Sequence, residues 1–381
     1  MPSESRPVLA LEISPLGERH HTGIANVAKG LAAELLEDES VTAHFFFNRA
    51  TISRAVVERM LKVEGGEILW WIASRADFPT GLRYSAGTPT IGIYPGHKWH
   101  RRYFPFEVQI VHDLTTIITP EFHDSDSVEF WQSQLLGDMY SSDLIVAVSE
   151  STRTDIHTYF PQLRDIPCIV SKLGLAPNPR GTESHVTNPE PYVLVLGTFE
   201  PRKNVEIILR VLSENRDILE RARFIFIGRS GWGPKASELI ERYGLSAAAS
   251  AGRLVIAGFV PSTVRDELTR YARCVIYPSH YEGFGLPIIE ALRFGTPLIT
   301  GYGSSLPEAG GDAAIYCDVS SPESVGNALR SVLGSTDSHA SAEAGRRRAW
   351  AASFERRASY RRIRDAAITL AEAQLAKVDA R

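Results

Sequence analysis

Three shortages limit what this chain of 381 residues can be. Its three cysteines, Cys168, Cys274 and Cys317, are odd in number and far apart. That spacing builds neither a disulfide framework nor a zinc site, and points to reduced thiols beside apolar runs such as CVIYP. No run reaches the roughly 18 apolar residues of a spanning helix. The opening MPSESRP lacks the basic stretch and apolar core of a secretory signal, so the expected location is cytoplasmic. Nor is there a basic surplus, since 41 Lys and Arg stand against 45 Asp and Glu for a net charge of -4. Nothing global draws such a chain to nucleic acid, and any anion it binds must be held locally.

What is present is an ample core and a repeating pattern. Hydrophobic residues make up 44% of the chain, and its length fits two domains. VLALEI, VTAHFFF, EILWWIA, TIGIY, VQIVHDL and DLIVAVS read as strands, with helical patterns near 24 to 37, 126 to 140 and 152 to 159. Continuous apolar strands suit a parallel sheet covered on both faces. LAPNPRGTESHVTNPEP, residues 175 to 191, then breaks the pattern as a linker. The alternation restarts with YVLVLGTF, RFIFIG, RLVIAGFV and CVIYPS, with helices near 204 to 213, 235 to 243 and 263 to 272 between them. Two doubly wound α/β halves are expected, with ligands at the carboxyl ends of strands and chemistry in the cleft between the halves. The tail from about residue 340 is helical and rich in arginine. Its Trp350, Phe354 and Tyr360 are expected to dock while the arginines stay solvated, or else to meet a membrane surface or acidic partner.

The most informative stretch is HYEGFGLPIIEALRFGTPLIT, residues 280 to 300. Glu282 lies in a glycine-rich loop and Glu290 about one turn into a helix expected over 287 to 294, where Pro287 suits the first turn. The helix end offers donors and a partial positive charge, and two acceptor-only carboxylates flank them. Carboxylates beside a phosphate site are best used on hydroxyls. A ligand with phosphate in the middle and hydroxyls at both ends, such as a nucleotide sugar, satisfies the set.

SHYEGFGLPIIEALRFGTPLIT followed by SSLPEAGGDAAIY resembles the signature of the retaining GT-B glycosyltransferases grouped as family 4, and the likeness runs through the C-terminal half. The N-terminal half matches more thinly, through TGIANVAKGLAAEL, VHDL and DLIVAVSESTRTDI. The resemblance implies a GT-B fold of two Rossmann-like domains: an acceptor domain over 1 to 180, a donor domain over 181 to 355, and a C-terminal helix over 356 to 381 that crosses back. It implies an enzyme with no metal or other cofactor that moves a sugar from a nucleotide donor to a hydroxyl with retention. By position, Glu290 matches the residue that holds the ribose and Glu282 the one beside the transferred sugar. Phe284, Gly285 and Leu286 match positions whose amides meet the sugar and diphosphate. Arg202 and Lys203 in GTFEPRKN resemble the basic pair on the diphosphate, and fixed cations there would stabilise the charge that a leaving diphosphate gains. Thr198 stands where many members carry an arginine. His112 of VHDL matches a residue that contacts the transferred sugar. Gly23 matches the glycine near the donor phosphates, with Thr22 in place of its usual glycine partner. Val260 falls where the base is read through main-chain atoms.

Subgroup likeness around HDL and EPRKN implies mannose from GDP-mannose, used on a glycan or lipid-linked acceptor in bacterial surface-polysaccharide assembly. Glucose, N-acetylglucosamine and rhamnose donors stay open, as does a catalytically silent sugar-nucleotide binder. GHKWHRRYFPF, residues 96 to 106, mixes basic and aromatic residues. It reads equally as a site for a lipid-linked diphosphate at the membrane face or as a loop with its aromatics packed inward. IGRSGWG suggests nicotinamide chemistry, but it lacks the G-x-G-x-x-G spacing and no acidic residue closes the next strand.

Overall fold

The computed structural model describes residues 6–18, 23–62, 89–176, 190–336 and 341–379. The expected strand EILWWIA and most of the linker lie outside the described residues. The rest divides into two compact units. One takes the described residues up to Leu114, Phe130–Ala176 and those from Glu355, and the other takes Thr115–Glu129 and those from 190 to Phe354. Residues 115–129 thus group with the second unit although both their neighbours in sequence belong to the first.

The first unit holds a seven-stranded sheet in the order β3-β2-β1-β4-β5-β6-β7. Its strands are β1 Val8–Glu12, β2 Thr42–Phe47, β3 Ala50–Ile52, β4 Thr90–Tyr94, β5 Phe106–Val111, β6 Leu144–Ala147 and β7 Cys168–Val170. Every residue of β4, β5 and β6 is buried, as a sheet covered on both faces requires. All pairings are parallel except the hairpin of β2 with β3. Helix Gly23–Glu37 covers it with Ala25, Ala28, Leu31, Ala32 and Leu35, a spacing that recurs on one helical face.

The second unit holds a six-stranded, wholly parallel sheet in the order β10-β9-β8-β11-β12-β13. These strands are β8 Tyr192–Leu196, β9 Arg223–Ile227, β10 Leu254–Gly258, β11 Cys274–Tyr277, β12 Leu298–Thr300 and β13 Ile315–Tyr316. Its core joins Val193 and Val195 of β8 to Phe224 and Phe226 of β9, and to Ile208, Val211 and Leu212 of helix Glu206–Glu214. In each sheet the strand order reverses once, between β1 and β4 and between β8 and β11. These are the switch points where loops diverge and leave a crevice.

In the tail Phe354 and Tyr360 are buried and Arg346, Arg348, Arg361 and Arg362 are exposed, as expected, but other arginines are engaged. Helix Ala342–Ala352 belongs to the second unit, where buried Arg347 donates to the Gly295 carbonyl at 3.1 Å and the Trp350 indole to that of Ala309 at 2.8 Å. Helix Arg356–Asp379 belongs to the first unit and meets the acidic end of helix Gly23–Glu37. Arg356 and Arg357 pair with Glu34 at 2.9 and 3.1 Å, and Arg364 with Asp38 at 2.7 Å. Opposite charge at that helix end thus engages Arg356, Arg357 and Arg364.

In residues 96–106 the side chains of Lys98, Phe104 and Phe106 are buried, whereas Arg101 and Arg102 stay exposed. Lys98 is fully buried, with Nζ 2.9 Å from Glu107 and 2.7 Å from the Ser142 hydroxyl. Arg101 pairs with Asp138 at 2.8 Å and Arg102 with Asp143 at 3.0 Å, while His97 lies 3.0 Å from Asp138. Phe104 and Phe106 are core residues, and Trp99 remains 53% exposed. The cations of this stretch are paired with Glu107 of β5, Asp138 of helix Ser125–Tyr140 and Asp143 just before β6.

Candidate functional site

The densest polar constellation lies at the β8/β11 switch point. After β8 the chain passes Gly197, whose φ is +149°, and makes one tight turn over Pro201–Lys203. Asn204 ends that turn in the left-handed region, φ +51°, and its side chain donates to the Val319 carbonyl at 2.8 Å. Asn tolerates this conformation better than most residues, and the anchor fixes the direction of Arg202 and Lys203. From the end of β11 comes Tyr277, and from the loop after it Ser279 and Glu282.

These side chains converge on the Glu282 carboxylate, which is 10% exposed. Oε1 accepts from Lys203 Nζ at 2.6 Å, the Ser279 hydroxyl at 2.6 Å and the Tyr277 hydroxyl at 2.7 Å. Oε2 lies 3.1 Å from Arg202, which also pairs with Glu200 at 3.1 Å. Ser304 and Ser305 clamp the backbone of Glu282, the first accepting from its N–H and the second donating to its carbonyl, both at 2.8 Å. Burial alone would raise the Glu282 carboxyl. The charges of Lys203 and Arg202 and the hydrogen bonds of Lys203 and Ser279 outweigh it and hold the group down at about 2. Burial also pushes the Lys203 ammonium down, against the pull of Glu282. Tyr277, raised well above its ordinary value by burial and then by Glu282, stays a phenol that donates. Glu282 is therefore a fixed anion and not a proton donor at neutral pH. Its Oε1 is saturated, so Oε2 is the oxygen with capacity for a ligand.

The neighbouring predicted residues take different roles. The Phe284 side chain is buried and meets the Phe354 ring edge-on at 5.7 Å. Gly285, φ +96°, precedes the helix, which begins at Leu286 and runs to Leu292. Glu290 does not join the Glu282 cluster. It pairs with Arg265 of helix Ser262–Tyr271 at 3.2 Å, and burial pushes its carboxyl up despite that partner. Val260 is half-buried just past β10.

His112 and Gly23 belong to the first unit. His112 follows β5, and its Nε2 lies 2.7 Å from the Pro95 carbonyl, which can only accept. Burial pushes the imidazole down, so the neutral ring carries its proton on Nε2 and leaves Nδ1 as an acceptor. Gly23 is the exposed first residue of its helix.

Sequence reasoning missed Tyr277, Ser279, Ser304, Ser305, Glu200 and Arg265. Ser279, Glu200 and the paired serines Ser304 and Ser305 lay within or beside stretches already singled out for the site, whereas Tyr277 and Arg265 gave no such signal.

Comparison with known proteins bears on this geometry. The profile of the family described as glycosyl transferases group 1 matches residues 182–348, which hold the whole Glu282 cluster. The O-antigen chain mannosyltransferase B of Escherichia coli is 31% identical over 238 residues, 59% of this chain and 59% of that protein. Residues 182–348 thus carry the match to the glycosyl transferases group 1 family. The chain spans only part of its curated relatives, since a serotype-specific mannosyltransferase of Escherichia coli matches over 26% of its own length, at 27% identity. Among solved structures, a sucrose-phosphate synthase from Thermosynechococcus elongatus superposes with a TM-score of 0.66 at 16% identity, covering 97% of this chain and all of that one. At that identity the likeness shows fold alone, and the fold is GT-B. Within the matched residues 182–348, the Arg202, Lys203, Glu200 and Glu282 charges balance before any ligand arrives. An incoming anion must therefore compete with carboxylates for the two cations.

Proposed function

We propose that the chain is a retaining glycosyltransferase that moves a hexose from a nucleotide donor to a hydroxyl without a divalent metal. The observation that carries this reading is the buried union of Lys203, Arg202 and Glu282 at the switch point of the second sheet. A leaving nucleoside diphosphate gains negative charge as its bond to the sugar breaks, and two fixed cations stabilise it most at that moment. The transferred sugar gains positive charge in the same step, which the ionised Oε2 of Glu282 offsets. His112 presents an acceptor nitrogen suited to a sugar hydroxyl. Gly23 and the amides at Phe284, Gly285 and Leu286 approach the donor, Glu290 takes the ribose hydroxyls, and main-chain atoms at Val260 meet the base.

The sugar is mannose and the donor GDP-mannose, with a glycan or lipid-linked acceptor in bacterial surface-polysaccharide synthesis. Support for this comes from the mannosyltransferase relatives. The test is a screen of the purified protein against GDP-mannose, UDP-glucose, UDP-N-acetylglucosamine and dTDP-rhamnose, reading release of each nucleoside diphosphate. Release from GDP-mannose alone is expected. Release from another donor would replace the sugar, and binding of all donors without release would make the chain a silent binder.

A further inference from the structure

Three adjacent strands of the second sheet give out at glycine. Gly197 follows β8, Gly228 follows β9 and Gly258 closes β10. Gly197 N–H donates to Ile227 and Gly228 N–H to Gly258, each at 3.0 Å, so the three stand side by side along the carboxyl edge. A Cβ at Gly228 would fall 1.8 Å from the Gly197 carbonyl oxygen, whereas at Gly258 nothing lies within 4 Å. None of the three strand ends therefore raises a side chain there. At one end of this row lies the Lys203 and Glu282 cluster. At the other lies Phe259, 57% exposed, with the Arg229 guanidinium 5.0 Å from its ring centroid. No ion pair or hydrogen bond to a described residue engages that guanidinium, in contrast to Arg202 and Arg265.

Two strand spacings, about 10 Å, separate β8 from β10. That compares with the reach of a nucleoside diphosphate from its phosphates across its ribose to its base. Glu290, tied to Arg265 on the helix that follows β10, supplies a carboxylate suited to the ribose. We propose that Arg229 and Phe259 hold the base of the donor and select guanine, an inference that rests on the nucleotide-sugar reading above. Phe259 offers a face on which any base stacks. The Arg229 fork matches the adjacent O6 and N7 acceptors of guanine. Adenine sets an amino donor against it in place of O6, and uracil has no N7.

The test is calorimetric titration of the full chain with GDP, IDP, ADP and UDP, without sugar or acceptor. IDP keeps O6 and N7 but lacks the 2-amino group. GDP and IDP are expected to bind about 10-fold or more tighter than ADP and UDP. Arg229→Ala should erase that preference. Arg229→Lys, which keeps the charge but loses the fork, should erase it while retaining most of the UDP affinity. Phe259→Ala should weaken all four. A preference for GDP that survives both Arg229 substitutions would overturn the proposal, as would tighter binding of UDP or ADP by the native protein. Failure of the native protein to bind any of the four would overturn the transferase reading itself.

Discussion

Replacing Glu282 by Gln should separate the two jobs that the cluster joins. The substitution keeps shape but removes the charge that neutralises Lys203 and Arg202. Glu282 titrates at about 2 instead of its ordinary 4.5. Breaking a buried ion pair by removing one partner costs about 3 to 5 kcal/mol. The second unit should therefore lose about that much stability. The same change frees both cations, so affinity for a nucleoside diphosphate should hold or rise. Transfer should fall about 100-fold or more, because the positive charge developing on the sugar loses its fixed counter-charge.

Glu290→Ala should show the opposite pattern. Burial raises the Glu290 carboxyl, so removing it costs the fold little, while the lost ribose contact should weaken diphosphate binding about 10-fold. Thermal melts, titration with GDP and kcat at saturating donor, run on both variants, give the comparison. Weakened GDP binding by Glu282→Gln, together with native GDP affinity in Glu290→Ala, would refute the reasoning and exchange the two carboxylates.

Three further outcomes follow from the same geometry. Because Arg202 and Lys203 supply the positive charge, transfer should persist in excess EDTA, and loss that added magnesium or manganese restores would contradict this. Glu12, buried at the end of β1, is raised to about 8 by burial despite two hydrogen bonds from Ser14. The unfolded carboxyl ionises near 4.5 while the folded one stays protonated, so stability should fall as pH rises from about 4.5 to 8. Glu12→Gln should flatten that fall in melting temperature, and an unchanged slope would exclude Glu12 as its source. Lys98→Met leaves Glu107 buried without its counter-ion and should cost about 3 to 5 kcal/mol in urea unfolding. An unchanged midpoint would mean that the pair is not buried in solution.

The alternation of strand and helix was legible because parallel strands buried on both faces are continuous apolar runs. Short strands such as β3, β7 and β13 were not, since two or three residues carry no periodicity. Arg202, Lys203 and Glu282 were each singled out, but for separate contacts with a donor. Their mutual ion pairs join residues some 79 positions apart, and only the adjacency of β8 and β11 in the sheet brings them together. The stretch 96–106 left two readings open for a related reason. The pairing of Arg101 and Arg102 could not be seen because their acidic partners, Asp138 and Asp143, lie some 40 positions further on. Composition shows charges locally, whereas topology decides which are neutralised. The same holds for the arginines of the last helix and the acids Glu34 and Asp38.

The most direct test of the Lys203, Arg202 and Glu282 cluster as the reacting centre is GDP release from GDP-mannose by the native chain and by Lys203→Ala, with a mannose-terminated acceptor and NMR of the product's anomeric proton. The native chain should release GDP and form an α-linked product, and Lys203→Ala should do so about 100-fold more slowly while still folded. Equal rates in the two proteins, or a β-linked product, would contradict the account.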